Sequence, residues 1–268
     1  MLRKGRFQVN PHHVYKMPVH FGGQPFSPVR TVYREMTGIS IEYETDSEAL
    51  LQYIPEDFEL LKPVVNVGYA NCRNVDWMAG GEYRLIQVCV PVRYLGNNEG
   101  LEGFYVLVIW ENKTCPILGG REEDGMPKVF ADIPCERHVG DHWFTSASFE
   151  GCTFLKLDLS RTAELGKAEL ETLQAKPQMN YFGWRYLPNL GSGGAALSHA
   201  TFYPQESHVA QVWTGEGRIE WTPLTAEQHP LQWSIIGALA ELPVVKYTSA
   251  SMSKSWARLN VGDSRSLP

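Results

Sequence analysis

The sequence predicts an α+β fold in which one mainly antiparallel sheet, closed into a barrel or strongly curved, carries a few helices. Three observations lead to this prediction. Strand-like segments rich in valine, isoleucine and aromatic residues recur along most of the 268 residues. Few helical segments separate these strands. No repeat, low-complexity tract or linker divides the chain, so residues 1–268 are predicted to form a single domain.

The first elements follow from local patterns. Residues 1–30 are dense in glycine and proline and are predicted to be an irregular arm. Residues 38–44 alternate between apolar and polar side chains, as a half-buried strand does. Residues 45–55 predict a short helix that Pro55 stops. Strand composition then recurs at residues 64–72, 83–95, 103–111, 142–151, 152–160, 180–188, 195–204, 208–215, 218–224 and 241–251.

Turns and further helices complete the predicted order of elements. Glu150 and Gly151 are predicted to join two strands in a hairpin. Residues 160–175 predict an amphipathic surface helix with Ser160 as its N-cap. A further helix is predicted within residues 226–242.

Composition restricts the partners and the location. The formal net charge is -6 at pH 7 and no basic stripe is present, which argues against nucleic acid as a partner. The five cysteines are odd in number and lack a C-x-x-C pair, which is typical of reduced thiols in a cytosolic protein. The N-terminus lacks the apolar segment of a secretory signal, and no apolar run is long enough to span a membrane. The predicted location is the cytoplasm.

A cluster of metal-binding residue types occurs in CERHVGDH. Cys135, His138 and His142 have the spacing C-x2-H-x3-H. Zinc sites usually draw four ligands, often from two paired clusters, and no second cluster is present. The alternative is a surface turn around Gly140. We therefore predict no metal and no cofactor.

Lys128 is the strongest candidate for chemistry because its sequence neighbours are apolar. If residues 126–133 are extended, Met126, Lys128 and Phe130 share one face. An amine flanked by these side chains is desolvated, which favours its neutral form. The neutral amine is the form that adds to a ketone to give a Schiff base. The alternative is a surface lysine whose charged end reaches water.

Several stretches resemble the landmarks of one enzyme superfamily in the same order. They are YETDSEAL (43–50), YRLIQVCVPVRY (83–94), GFYVLVIWENKTCPILGGREEDGMPKVF (103–130), NYFGWRYLPN (180–189), VWTG (212–215) and ELPVVKYTSAS (241–251). On these stretches the chain resembles the acetoacetate decarboxylase superfamily. The resemblance places Lys128 at the family's Schiff-base lysine. It also implies a cone-like β-barrel, a small oxo-acid substrate and a homo-oligomer.

The chain departs from the family pattern at two positions. The family's decarboxylases carry a second lysine directly after the first, where this chain has Val129. The family often places an active-site glutamate six residues before a Pro-Val pair, and that position is Leu85 here. Glu82 and Gln87 lie close by and are the substrate-binding candidates in its place. The family's arginine near the N-terminal strand has its nearest match in Arg34.

Three functions are consistent with these residues. The first is a Schiff-base-forming lyase on a small oxo acid, diverged towards aldolase, dehydratase or hydratase chemistry. The second is a true acetoacetate decarboxylase that tolerates Val129. The third is a non-catalytic barrel that binds a small ligand. The retained lysine favours an enzyme, and its changed neighbours favour the first function.

Overall fold

The computed structural model of the protein describes residues 3–28, 30–96 and 100–268. The strands, numbered in chain order, are β1 (His13–Val14), β2 (Gln24–Pro25), β3 (Arg30–Glu44), β4 (Phe58–Leu60), β5 (Val64–Val75), β6 (Gly81–Tyr94), β7 (Glu102–Glu111), β8 (Lys128–Phe130), β9 (Arg137–Val139), β10 (His142–Phe149), β11 (Cys152–Glu164), β12 (Gln178–Pro188), β13 (Ala195–Trp221), β14 (Lys246–Asn260) and β15 (Arg265–Ser266). The α-helices are α1 (Ser47–Leu51), α2 (Thr114–Glu122), α3 (Lys167–Gln174) and α4 (Trp233–Glu241).

Seven strands close into a ring. Their order is β12, β7, β6, β5, β3, β14 and β13, and β12 also pairs with β13. Neighbours in the ring are antiparallel apart from β12 and β7, which are parallel. Beyond β13 the sheet continues through β11, β10 and β9. Closure leaves the ring strands without open edges. The predicted α+β fold, with a curved, mainly antiparallel sheet and a few helices, is confirmed.

Strand alternation gives the ring an outer face that packs against the main hydrophobic core and an inner face on which polar and apolar side chains both occur. Val65 of β5 belongs to the main hydrophobic core, to which β11 contributes Leu155 and α4 contributes Ile236. The next residues of β5 alternate with this pattern: Asn66 and Gly68 face the other side of the sheet, inside the ring. The main core therefore lies between the ring and the elements that cover it.

Two local predictions are confirmed by their hydrogen bonds and dihedral angles. The Asp46 side chain accepts a hydrogen bond from the Ala49 backbone N–H at 2.8 Å, which caps α1. Glu150 and Gly151 have φ values of 47° and 84° and form the tight turn between β10 and β11. Positive φ at both central residues gives a turn the twist that hairpin strands need.

The helix predicted over residues 160–175 is wrong in its first part. Residues up to Glu164 belong to β11, where Ser160 pairs with Glu216 of β13. The helix α3 begins at Lys167 instead, and the Gly166 backbone N–H donates to the Glu169 carboxylate at 3.0 Å. A full ladder of backbone hydrogen bonds along β11 outweighs the capping that Ser160 offered.

The three strands predicted within residues 195–224 are one strand. β13 runs continuously from Ala195 to Trp221, and each part of it has a different partner strand. It pairs first with β12, then with β14 and finally with β11. Periodicity along one segment does not reveal such a change of partner. The helix α4, which begins at Trp233, lies within the predicted range, whereas β14 begins at Lys246, later than the predicted strand of residues 241–251.

The N-terminal arm is held by its own strand pairing and by an ion pair with the segment after α2. Its two short strands, β1 and β2, pair with each other. Lys16 forms an ion pair with Glu123, just after α2, at 2.9 Å. The arm thus touches the segment that leads into β8.

The α-helices are short. The longest of those described, α2 and α4, have nine residues each. Within the described part of the chain, none of the helices combines the length and apolar character needed to cross a membrane.

Gly215 permits the close approach of β13 to β11, and its replacement tests this packing. A Cβ atom there would overlap the Ser160 carbonyl oxygen. We expect Gly215→Ala to lower the free energy of unfolding by about 1–3 kcal/mol. Gly237→Ala is the control, because no atom lies within 4 Å of its new Cβ in α4. It should raise stability by about 0.5–1 kcal/mol. Urea denaturation measures both, and equal stability of the two variants would contradict the packing.

Candidate active site

A cavity of about 300 Å³ lies within the ring. All seven ring strands contribute residues to its lining, which places it on the inner face of the sheet. Its floor includes one row of paired residues across adjacent strands: Lys128, Ile109, Gln87, Gly68 and Ser40. Residues paired across a sheet point to the same face, and all five line the cavity.

Lys128 is held at one end of this row by backbone pairing. It begins β8, which pairs in parallel with β7 so that Lys128 lies opposite Ile109. The Ile109 backbone N–H donates to the Pro127 carbonyl at 3.1 Å. The Lys128 side chain is 13% exposed, and its Nζ donates to the Pro116 carbonyl of α2 at 3.2 Å. The amine therefore lines a cavity and does not lie free on the surface.

Glu111 is the closest charged partner of Lys128. Its Oε1 lies 2.9 Å from Lys128 Nζ, and its side chain is fully buried. It is two residues beyond Ile109 on β7, so it projects from the same face of the sheet. Sequence analysis missed Glu111. An acidic residue at the end of the long apolar strand 103–111 was the available signal, but the parallel pairing that joins it to Lys128 is not visible in the sequence.

Burial sets the electrostatics of Glu111. Desolvation raises the pKa of its carboxyl, and the Lys128 ammonium acts in the opposite direction. Apart from the ion pair, neither carboxylate oxygen receives a hydrogen bond from a described residue. The Lys128 amine and the Glu111 carboxyl are thus close enough to exchange a proton, and both are largely shielded from water. Such a pair can move a proton to and from a substrate bound at Lys128.

The close approach of α2 to β8 depends on Gly120. A Cβ atom at Gly120 would overlap Cδ and Cε of Lys128 and would lie 2.8 Å from Nζ. The neighbouring Gly119 has no such conflict, since its Cβ would come no closer than 3.8 Å to Lys16 Nζ. Gly120 therefore leaves the space in which the lysine side chain lies.

The predicted flanks of Lys128 differ from each other. Met126 is buried and lines the cavity beside Lys128. Phe130 is 37% exposed and is not among the described lining residues. The prediction that Phe130 desolvates the amine is therefore wrong. Asp124 lies close enough for the Lys128 ammonium to act on it. Burial raises the pKa of Asp124 to about 6, and Lys128 opposes that rise.

Val129 points away from the amine. Its side chain packs against the main hydrophobic core, on the other side of β8 from the cavity. Adjacent residues of a strand project to opposite faces. A side chain at this position therefore meets the core in this chain, and Glu111 is the group that meets Lys128.

The predicted substrate-binding residues occupy different places. Gln87 lines the cavity, two strands from Lys128 in the same row. Arg34 forms a two-hydrogen-bond ion pair with Asp76 at 2.8 and 3.1 Å on the surface. Glu82 is half exposed and pairs with Arg84. Arg34 and Glu82 are both outside the set of described residues that line the cavity. The strand pairing turns them to other surfaces.

The cysteine and histidine cluster does not come together. The Cys135 thiol accepts a hydrogen bond from Arg84 at 3.1 Å. His138 stacks on a tryptophan ring at 4.3 Å, and His142 pairs with Asp158 at 3.0 Å. Among the described residues, no three histidine, cysteine, aspartate or glutamate side chains are grouped as metal ligands would be.

Comparison with known proteins gives related sequences and folds. The chain is 26% identical over 258 residues to the acetoacetate decarboxylase of Burkholderia mallei, and 27% identical over 251 residues to that of Burkholderia cenocepacia. Each match covers 93% of both proteins. A solved acetoacetate decarboxylase from Legionella pneumophila has a TM-score of 0.73 at 20% identity and covers 100% of this chain and 98% of its own.

A second solved structure carries a different name. The enduracididine biosynthesis enzyme MppR, complexed with pyruvate, has a TM-score of 0.71 at 14% identity over 97% of this chain and 99% of its own. The sequence profile described as "Acetoacetate decarboxylase (ADC)" matches residues 16–265. The chain therefore belongs to the acetoacetate decarboxylase family.

Proposed function

We propose that the protein is a lyase that forms a Schiff base between Lys128 and the carbonyl carbon of a small oxo compound. The observation that carries this proposal is the contact of 2.9 Å between Lys128 Nζ and the fully buried Glu111, at the wall of a cavity. The family's small oxo acids are the first compounds to test. The group that the substrate bears next to its carbonyl decides which reaction follows.

The first step joins the amine to the carbonyl carbon. The neutral Lys128 amine adds to the carbonyl and gives a carbinolamine. Glu111, in its acid form, donates a proton to the carbinolamine hydroxyl, which leaves as water, and an iminium remains. The raised pKa of Glu111 supports this role, because its burial favours the acid form over the carboxylate. The Glu111 carboxylate that results is the counter-ion of the iminium.

The next step depends on the group next to the iminium carbon. A substrate with a carboxylate on the α-carbon loses carbon dioxide, and the electron pair passes to the iminium. A substrate with an α-hydrogen can lose that proton to Glu111 and become an enamine, which leads to aldol or dehydration chemistry. MppR, whose solved complex contains pyruvate, is a structural neighbour of this chain. It supports the second route as an alternative to decarboxylation.

A non-catalytic barrel is the competing proposal. It is disfavoured because a fully buried carboxylate with a lysine partner costs free energy in a site that only binds. The predicted homo-oligomer and the cytoplasmic location stay predictions.

Lys128→Ala should abolish reductive trapping. We expect the natural protein, treated with borohydride and either acetoacetate or acetoacetamide, to gain the mass of one reduced substrate. Lys128→Ala removes the nucleophile and should gain none. Lys156→Ala is the control, because that exposed lysine pairs with Glu220 on the surface. Intact mass spectrometry measures the adduct, and an undiminished yield in Lys128→Ala would refute the assignment.

Gly120→Ala should impair the reaction without unfolding the protein. The added methyl group displaces the Lys128 side chain, and a shift of about 1 Å can cost about 100-fold in rate. Gly119→Ala, on the same helix, should keep the natural rate. Single-turnover trapping gives the two rates, and circular dichroism checks the fold. Equal rates would mean that the position of the lysine amine is not critical.

Glu111→Gln should slow imine formation and change its pH dependence. Loss of a general acid costs about 10²- to 10⁴-fold. In the natural protein, imine formation should contain a limb that falls as pH rises through the raised pKa of Glu111, since only its acid form donates the proton. That limb should be absent in Glu111→Gln. Glu220→Gln, at an exposed ion pair, is the control. A pH profile shared by all three proteins would exclude Glu111 as the acid.

A further inference from the structure

Among the described residues that line the cavity, none besides Lys128 offers a cation to an acidic substrate. Of the described residues that line it, Lys128 and Glu111 alone carry charged side chains, and they pair with each other. Burial raises the pKa of the Cys72 and Cys89 thiols in the lining to about 12, so both are neutral at pH 7. Asp124, close to Lys128, adds a further acid; the cations Lys16 and Arg185 act on Asp124 but are not among the described residues that line the cavity.

The far part of the cavity carries no charged side chain among its described residues, and polar groups lie there beside apolar ones such as Met36. Gln87 stands two strands from Lys128 in the floor row, about 10 Å along the sheet at the usual strand spacing. Next in that row, Gly68 adds no side chain, and Ser40 follows. The Asn66 amide donates to the Ser40 hydroxyl at 2.9 Å. Further amide and hydroxyl groups come from β13 and β14: Gln205, Ser207 and Ser253.

This lining is poorly suited to a substrate carboxylate. A carboxylate that leaves water needs a positive partner or several strong donors. The charge of the iminium at Lys128 is already opposed by Glu111 at the same end. Amide and hydroxyl groups, in contrast, both donate and accept hydrogen bonds, as uncharged hydroxyl and carboxamide groups of a ligand require.

We propose that the substrate is an uncharged carbonyl compound whose tail carries hydroxyl or carboxamide groups, held by Gln87 and the Ser40–Asn66 pair. This inference rests on the proposed Schiff-base function and narrows its substrate. Such a compound has no carboxylate to lose. After the carbonyl oxygen leaves as water, an α-proton passes to the Glu111 carboxylate and the iminium becomes an enamine. The products then follow from aldol or dehydration chemistry.

Matched pairs of ligands test the charge preference. Acetoacetate is compared with acetoacetamide, and pyruvate with pyruvamide; each pair differs in charge and hardly in shape. Borohydride trapping over a range of concentrations gives the half-saturating concentration of each compound with the natural protein. We expect the amide of each pair to half-saturate at a concentration lower by about tenfold or more, because the acid leaves a buried charge unpaired.

A cation added to the floor row should reverse this preference. Gln87→Lys places an ammonium group two strands from the reactive amine, in the same row. Relative to the natural protein, we expect the half-saturating concentrations of the acids to fall by about tenfold or more compared with those of the amides. Gln211→Lys adds the same charge on an exposed part of β13 and should leave the ratio unchanged.

The outcomes separate the substrate class from the reaction type. Acids trapped as well as or better than their amides by the natural protein would overturn the uncharged substrate and leave the Schiff base standing. No adduct with any of the four compounds would remove both. The ligand comparison stands without the variant, so a Gln87→Lys protein that does not fold leaves the test complete.

Discussion

The site depends on one buried ion pair between Lys128 and Glu111. Removing two charges from water costs several kcal/mol for each ion, and the attraction between them offsets this cost only in good geometry. Here the contact is 2.9 Å, the carboxylate is fully buried and the amine is nearly so. The pair is therefore weak evidence for stability. In the proposed function its value is chemical, since it keeps the proposed proton donor and the proposed nucleophile in contact at the wall of a cavity.

The register between β8 and β7 is what makes this pair possible. β8 has three residues and pairs in parallel with β7, so the register of a short ladder decides where the amine lies. Lys128 opposite Ile109 brings Glu111 within reach, whereas a shift of one residue would turn Lys128 towards the main core. The helix α2 covers this position and approaches closely because Gly120 has no side chain. Strand register and one glycine together determine the geometry of the contact between Lys128 and Glu111.

The sequence predicts the parts of this molecule that local patterns encode. The strands of residues 38–44, 64–72 and 103–111 and the turn at Glu150 follow from periodicity and turn chemistry, and the structure contains all of them. The continuous course of β13 and the partner of Lys128 were not predictable, since both arise from pairing between distant segments. Arg34 was proposed as the nearest match to the family's arginine near the N-terminal strand, and the sheet turns it to the surface beside Asp76.

Val129 shows how a neighbour in sequence differs from a neighbour in space. The residue after a strand lysine projects to the opposite face and here packs on the core, so its chemistry does not reach the amine directly. The group that does reach it comes from the adjacent strand and is an anion. In the proposed mechanism this anion stabilises the iminium and accepts an α-proton, but it repels a substrate carboxylate. The contact on which the Schiff-base proposal rests is therefore also the basis for proposing an uncharged substrate.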